Sequence, residues 1–358
     1  MNNFADIFFE YMLSPMLNGL LLPFLVAMFL AINMGGSGTS PAFATAYGSG
    51  ILRKDLIPGL FGLCVLVGAL LAGKNTAITL GKEILPAESL NYTLTTIILF
   101  SVALSLLFAN LLGVPQSTSQ STVLALAAPA YYLDQLNVKK VFWEIIPMWV
   151  VLPIISFGIM YLIANVFMRR FDDKHPGYFQ TIKRQSFFRW IVIITSCYVA
   201  FSIGSNNVAN AAGPIASMIT NELHINPTGG NFVLIMILAT LIIAPSFGIG
   251  SSIFGRKLIV RTGTEIVEIG KVEASIISVI TASLLLSASV SRGIPTSLVQ
   301  LNTFAILALS VSKKGWKETF SNKVVKRLWI IWFIAPVFAF ILSYVLTMMA
   351  DHAGLLHF

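Results

Sequence analysis

Long apolar segments alternate with short polar connections along almost the whole chain. A helix needs roughly 20 apolar residues to cross the hydrocarbon core of a bilayer. Segments near that length lie at residues 17–34, 56–73, 91–112, 141–168, 189–204, 230–254, 272–291 and 328–350. The pattern therefore predicts eight transmembrane helices.

Four further apolar stretches are shorter and are rich in Gly, Ala and Ser. They lie at residues 39–51, 117–133, 207–220 and 296–312. Helices that do not span the bilayer are tolerated at membrane depth only where protein or a water-filled cavity surrounds them. We therefore expect half-helices or re-entrant hairpins, in an all-α polytopic membrane protein with broken helices.

Composition and charge agree with a membrane location. The 358 residues are 56% hydrophobic and 11% charged, whereas a soluble domain carries about 25% charged residues. The net charge of +8 is concentrated in the polar loops 169–189 and 313–327, which is typical of cytoplasmic loops. We expect a lipid bilayer as the surrounding solvent and no nucleic-acid partner.

The chain contains an internal repeat. The pattern Gly-x-Pro-x-Ser-x-x-Gln occurs at residues 113–120 and again at 293–300, 180 positions apart. Upstream, Gly73, Gly81, Glu83 and Ile84 recur 182 positions later as Gly255, Gly263, Glu265 and Ile266. We predict two repeats, residues 1–180 and 181–358. Duplicated halves with interrupted helices at matching positions indicate a secondary transporter that binds its substrate where the halves meet.

Small polar residues cluster where four interrupted helices are predicted to begin. Two clusters, residues 33–41 and 204–210, follow the first span of each half; the other two are the Pro-x-Ser segments of the repeat. Because helix N-termini attract anions, we expect an anion site whose donors are Ser37, the Gly38 amide, Ser117, Thr118, Asn206, Asn207 and Ser297. The alternative is that these side chains only cap helices or join helix pairs.

Charged and metal-binding residues are rare within the apolar segments. Glu273 begins the 272–291 segment and is our candidate for proton coupling, with an interfacial salt bridge as the alternative. The four histidines lie in loops or at the C-terminus, and we find no metal-ligand spacing, P-loop or nucleophile–base pair. We expect no metal, no cofactor and no enzymatic activity.

The same segments resemble the inorganic phosphate transporter (PiT) family, whose signatures read Gly-Ala-Asn-Asp-x-x-Asn and Gly-x-Pro-x-Ser-Thr-Thr-His in each half. Residues 204–211 match the first signature in the second half, and residues 47–50 match its tail in the first half. The resemblance implies inverted-topology repeats, a homodimer and an ion-driven transporter. It also implies supporting roles for Asn210 and for Gln120 and Gln300, which take the place of the signature His.

Both signature aspartates are replaced, by Gly38 and Asn207. Hydrogen phosphate carries a proton and can donate a hydrogen bond to a carboxylate, whereas sulfate carries none and is only repelled by a carboxylate. The first signature is also similar to that of CysP-type sulfate permeases in this family. We therefore expect a sulfate importer of the bacterial inner membrane, coupled to H⁺ or Na⁺. The alternatives are phosphate, thiosulfate or molybdate transport, and a passive anion channel.

Overall fold

A computed structural model describes residues 15–48, 50–168, 186–225, 230–255 and 266–356. Within these ranges the chain forms helices and turns and contains no strand. Seven helices are long and apolar enough to cross a membrane, and an eighth span results if one bent helix pair is counted. The predicted all-α polytopic fold is confirmed. The predicted repeat boundary near residue 180 and most of the 169–189 loop lie outside the described residues.

The helices of the first repeat begin and end as follows. They are α1 (Pro15–Gly48), α2 (Ile57–Ala72), α3 (Lys74–Ile78), α4 (Tyr92–Leu112), α5 (Thr118–Tyr132) and α6 (Ile146–Leu162). A π-helical segment, Thr79–Glu83, continues α3, and two others, Lys139–Ile145 and Ile163–Met168, flank α6. A short 3-10 turn, Ala87–Ser89, precedes α4.

The second repeat contains the remaining helices. They are α7 (Ser186–Asn207), α8 (Ala209–Glu222), α9 (Asn231–Ile243), α10 (Pro245–Gly250), α11 (Lys271–Arg292), α12 (Leu298–Lys314), α13 (Trp316–Ser321) and α14 (Lys323–His352). A π-helical segment, Ser251–Gly255, continues α10. Each of the eight predicted apolar segments therefore corresponds to a helix or to a continuous run of helices.

The predicted break at residues 33–41 is wrong, because α1 continues through it to Gly48. Pro41 lies inside this helix and does not start one, although a proline in a helix interior removes one backbone hydrogen bond. The glycines serve close packing instead: a Cβ on Gly35 would lie 2.2 Å from the backbone oxygen of Phe247 next to α1. The Gly38 amide is thus a helix-interior group and not part of a helix N-terminus.

The other three predicted interruptions differ in kind. In the second half, a single turn residue, Val208, separates α7 from α8, and together they form one 36-residue span. By contrast, α5 and α12 are separate shorter helices that begin inside the protein. A sharp break occurs at Gly73, where α2 and the following helix differ in direction by 74°. Two helix N-termini, rather than four, can therefore face a common site.

Helices from the two halves of the sequence pack against each other. The first-half helix α5 packs along α14 of the second half, and the second-half helix α12 packs along α6 of the first. Helices α2 and α7 form a further extensive contact between the halves, where Gly68 and Gly204 allow the backbones to touch. The apolar core consequently continues across both repeats, and the segments before α5 and α12 lie at their junction.

Candidate functional site

Helices α5 and α12 begin with the same local geometry. The preceding helices, α4 and α11, end at Gly113 and Gly293, whose φ angles of 69° and 61° lie in the left-handed region that favours glycine. Four residues later, Ser117 and Ser297 adopt extended backbone and cap α5 and α12. Each cap oxygen accepts a hydrogen bond from a backbone N–H three residues on, at 3.3 and 3.2 Å.

One small cavity is enclosed between these two helix starts, α1 and the end of α7. Its lining consists of Ser37, Gly38, Pro41, Gln116, Ser117, Thr118, Ser119, Ile203, Asn207, Thr296, Ser297, Leu298 and Val299. The structure thus brings together six of the seven sequence-predicted binding residues. The lining contains no acidic, basic or histidine side chain.

The cavity contains little free space. Its volume is about 10 Å³, which is close to the space that a single water molecule requires. The cap hydroxyls are almost fully buried, with 1% of Ser117 and 4% of Ser297 exposed. A five-atom oxyanion can therefore enter only if the two helix starts move apart.

Hydrogen-bond donors dominate the cavity lining. The first amides of α5 and α12 have no partner within their own helices, and the Ser117 and Ser297 hydroxyls accept at the cap while their protons remain available to donate. The hydroxyl of Thr118 and the amide of Asn207 make no hydrogen bond to any described residue. In contrast, Ser37 donates to the backbone oxygen of Met34 at 3.1 Å.

Gln116 adds an acceptor to this lining. Its Nε2 donates to Ser105 Oγ at 2.9 Å and to Ser121 Oγ at 2.6 Å. The amide orientation is fixed because the Ser105 hydroxyl gives its own proton to the Ala335 oxygen and must accept from Gln116. Oε1 of Gln116 is consequently buried without a hydrogen-bond partner.

Asn206 lies outside the cavity lining, which corrects its expected role as an anion donor. Its Oδ1 accepts from Ser119 Oγ at 3.0 Å and from the Thr296 amide at 3.2 Å. Its Nδ2 donates to Ser289 Oγ at 2.8 Å and to the Ile294 oxygen at 3.2 Å. Both amide protons are used, so Asn206 holds the two helix starts next to each other.

The three residues expected to support the site occupy the junction of the repeats. Gln120 and Gln300 exchange two hydrogen bonds, each 3.0 Å long, between α5 and α12. These residues are 180 positions apart, and their hydrogen bonds join the first half of the sequence to the second. Asn210 is fully buried. Its Nδ2 donates to Ser119 Oγ at 3.5 Å, while its Oδ1 has no hydrogen-bond partner among the described residues.

Glu273 is remote from the cavity. It lies in the first turn of α11, whereas the cavity adjoins the segment after Arg292 at the other end of that helix. The 19 intervening steps correspond to about 28 Å at 1.5 Å per residue. Glu273 Oε1 lies 3.5 Å from Lys313 Nζ, and its Oε2 is buried without a partner.

The sequence pattern did not mark Gln116 and Thr296, two polar residues of the cavity lining. Both occupy the variable position between Pro and Ser in the repeated motif, so identity between the two copies did not mark them. Their place inside a motif whose other members face the cavity was an available signal. In the structure both residues line the cavity, because the two helix starts have the same backbone geometry.

A multi-pass helical protein with paired internal helix starts around a polar cavity has the architecture of a secondary transporter. Residues 34–343 match the model of the phosphate transporter family, and the chain belongs to this family. It is 30% identical to the sulfate permease CysP of Bacillus subtilis over 326 residues, covering 90% of this chain and 85% of that protein.

Two further similarities agree with this family membership. The chain is 26% identical to the "Probable low-affinity inorganic phosphate transporter" of Bacillus subtilis, with 84% of this chain and 87% of that protein covered. A solved structure titled "The sodium-dependent phosphate transporter" superposes with a TM-score of 0.78 at 21% identity, covering 94% of this chain and 99% of that one. The chain is therefore an inorganic anion permease in a multi-pass membrane fold, and it is not an enzyme.

Proposed function

We propose that the protein imports sulfate across the bacterial inner membrane by ion-coupled secondary transport. The observation that carries this proposal is the cavity between α5 and α12, whose lining offers hydroxyl and amide donors and contains no carboxylate. Sulfate is fully deprotonated near neutral pH, so a carboxylate in contact with it would be an unpaired, repelling charge. The similarity to a sulfate permease over most of the chain supports the same substrate.

In this proposal the anion lies between the Ser117 and Ser297 caps. The exposed amides and the positive ends of both helix dipoles face it, and Thr118 and Asn207 contribute further donors. Ser37 contributes its hydroxyl after releasing the Met34 oxygen. Gly38 supplies space beside the anion, and Asn206, Asn210, Gln120 and Gln300 position the two helix starts.

Phosphate is the second candidate, and Gln116 is the observation that favours it. The unpartnered Oε1 of Gln116 can accept a hydrogen bond from the P–O–H group of hydrogen phosphate, whereas sulfate has no proton to donate. Thiosulfate resembles sulfate in lacking this proton. Molybdate lacks it as well, so neither of these anions gains from the Gln116 acceptor.

Proton coupling through Glu273 is a separate part of the proposal. Glu273 is a buried carboxyl group whose Oε1 lies 3.5 Å from Lys313 Nζ and whose Oε2 has no hydrogen-bond partner among the described residues. A carboxyl group within a membrane-spanning helix is a candidate for carrying a coupling proton. Because Glu273 is about 28 Å from the cavity end of α11, its proton would bias the conformational equilibrium rather than touch the anion. Na⁺ is the alternative coupling ion.

Uptake of radiolabelled sulfate into proteoliposomes tests the substrate and the coupling together. We expect uptake that accumulates sulfate under an imposed pH gradient and that excess phosphate inhibits weakly. Preferential phosphate uptake would overturn the sulfate assignment. Equilibration without accumulation under either a pH or a Na⁺ gradient would instead indicate a passive channel.

Gln116→Leu distinguishes sulfate from phosphate as the substrate, because it replaces the amide and its unpartnered acceptor by an apolar side chain of similar size. We expect this variant to retain sulfate uptake and to lose residual inhibition by phosphate.

Crosslinking in native membranes tests the homodimer that the family resemblance implies.

A further inference from the structure

Each repeat ends in a long helix that carries a tryptophan directed at the other repeat. Trp149 in α6 donates its indole N–H to the backbone oxygen of Pro295 at 2.9 Å. Trp332 in α14 donates in the same way to the oxygen of Pro115 at 3.1 Å. The two prolines are 180 positions apart, and each lies two residues before a cap serine of the cavity. The hydrogen bonds therefore form a matched pair across the repeats.

These bonds act on the two non-helical segments that precede the cap serines. A proline has no N–H, and the residues between the left-handed glycine and the cap serine belong to no helix. In the second half, Asn206 also holds this segment through Thr296 and Ile294. An indole N–H can only donate, and at both positions its acceptor is the proline oxygen of the segment before the cap serine.

Other hydrogen bonds join the same helices in the same crossed manner. Ser156 in α6 donates to the Leu301 oxygen in α12 at 2.8 Å. Ser343 in α14 donates to the Ala125 oxygen in α5, also at 2.8 Å. Each internal helix is thus fastened to the last helix of the other repeat, and any separation of the two helix starts has to carry α6 and α14 along.

We propose that Trp149 and Trp332 are positioning residues of the anion site, and that each one fixes the helix start contributed by the opposite repeat. This inference rests on the proposed function for its binding readout. It predicts two units that move during transport: α5 moves together with α14, and α12 moves together with α6. One sequence repeat therefore does not move as a rigid body against the other.

Trp149→Phe and Trp332→Phe test the proposal, because phenylalanine keeps an aromatic ring and removes the N–H donor. One neutral hydrogen bond corresponds to about a 2- to 12-fold change in an equilibrium constant. We expect each variant to weaken sulfate binding and raise the KM for uptake within that range. Trp143→Phe and Trp190→Phe are matched controls, since Trp143 is 77% exposed and Trp190 is 63% exposed.

A tryptophan that only fills space predicts a different result. Replacing such a tryptophan by phenylalanine would lower the thermal stability of the anion-free protein and leave the sulfate-induced increase in melting temperature unchanged. Equal sulfate affinity in Trp149→Phe, Trp332→Phe and the two control variants would overturn the proposal.

A second readout does not depend on the identity of the anion. In a background carrying Cys64→Ala and Cys197→Ala, a thiol is introduced by Ser297→Cys or by Ser117→Cys and labelled with a membrane-permeant maleimide. We expect Trp149→Phe to accelerate labelling at position 297 only, and Trp332→Phe at position 117 only.

The labelling result also distinguishes the two failures. If neither sulfate nor phosphate stabilises the wild-type protein, the proposed function fails, while labelling still decides the role of the tryptophans. Unchanged labelling, or equal changes at both positions, would overturn the positioning role even if sulfate binds.

Discussion

The amide pair between Gln120 and Gln300 gives a quantitative test of how the two internal helices are joined. Both side chains are buried, with 7% and 8% exposed, and they exchange two hydrogen bonds of 3.0 Å. At about 0.5–1.5 kcal/mol for each neutral bond, the pair contributes about 1–3 kcal/mol of coupling. A single Gln→Leu change also leaves the partner amide buried and unsatisfied, which costs a further 1–3 kcal/mol, approximately.

The double-mutant cycle measures this coupling. Gln120→Leu and Gln300→Leu are each expected to destabilise the protein more than half as much as the double variant does, because the double variant leaves no orphaned amide. The assay is reversible unfolding in mixed detergent micelles, followed by far-UV circular dichroism. Gln135→Leu serves as a control partner for Gln120→Leu, because it lies past the other end of α5 and should be additive within about 0.5 kcal/mol. Additivity of the Gln120 and Gln300 variants would refute the proposed joint.

Three other substitutions test separate parts of the site. Asn206→Ala removes four hydrogen bonds, so we expect a loss of about 2–6 kcal/mol in the free energy of unfolding and at least a tenfold loss of uptake; near-normal values for both would show that the helix starts are held otherwise. Asn207→Asp introduces a carboxylate into the cavity lining and is expected to weaken sulfate binding at least tenfold in calorimetry, and an unchanged affinity would remove Asn207 from the site. Glu273→Gln is expected to abolish the dependence of uptake on a pH gradient while leaving sulfate affinity unchanged, and retained dependence would leave Glu273 with only its ion pair to Lys313.

The positions of the membrane spans could be predicted because lipid imposes a simple length rule on apolar segments. The repeated Gly-x-Pro-x-Ser motif was equally informative, since its glycine and serine have local roles that hardly depend on the rest of the fold. Gly113 and Gly293 end helices in the left-handed conformation, and Ser117 and Ser297 cap the next ones. Local chemistry therefore identified the two helix starts that face the cavity.

The residues 33–41 show where local reasoning failed. A Gly-rich segment followed by proline is compatible with a helix break, but it is also compatible with a continuous helix packed closely on a neighbour. Tertiary packing decides between them, and Gly35 lies against the backbone at Phe247. The role of Asn206 was not predictable for a related reason, because the partners of its amide group come from segments more than 80 residues away.

The packing of helices from one half against the other could not be predicted from the sequence. Self-similarity indicates that two halves share a fold, but it does not indicate which half supplies the neighbours of each helix. Trp149 and Trp332 occur in apolar segments where tryptophan is common. Their relation becomes evident only when both indole groups are seen to bind prolines of the opposite repeat.

The decisive measurement is the position of an oxyanion bound to the protein. Selenate has the shape and charge of sulfate, and its selenium can be located by anomalous X-ray scattering in crystals of the complex. The account predicts one selenium position between α5 and α12, with selenate oxygens within about 3.2 Å of the Ser117 and Ser297 hydroxyls. A selenium site away from these two helix starts, or one in contact with a carboxylate, would contradict it.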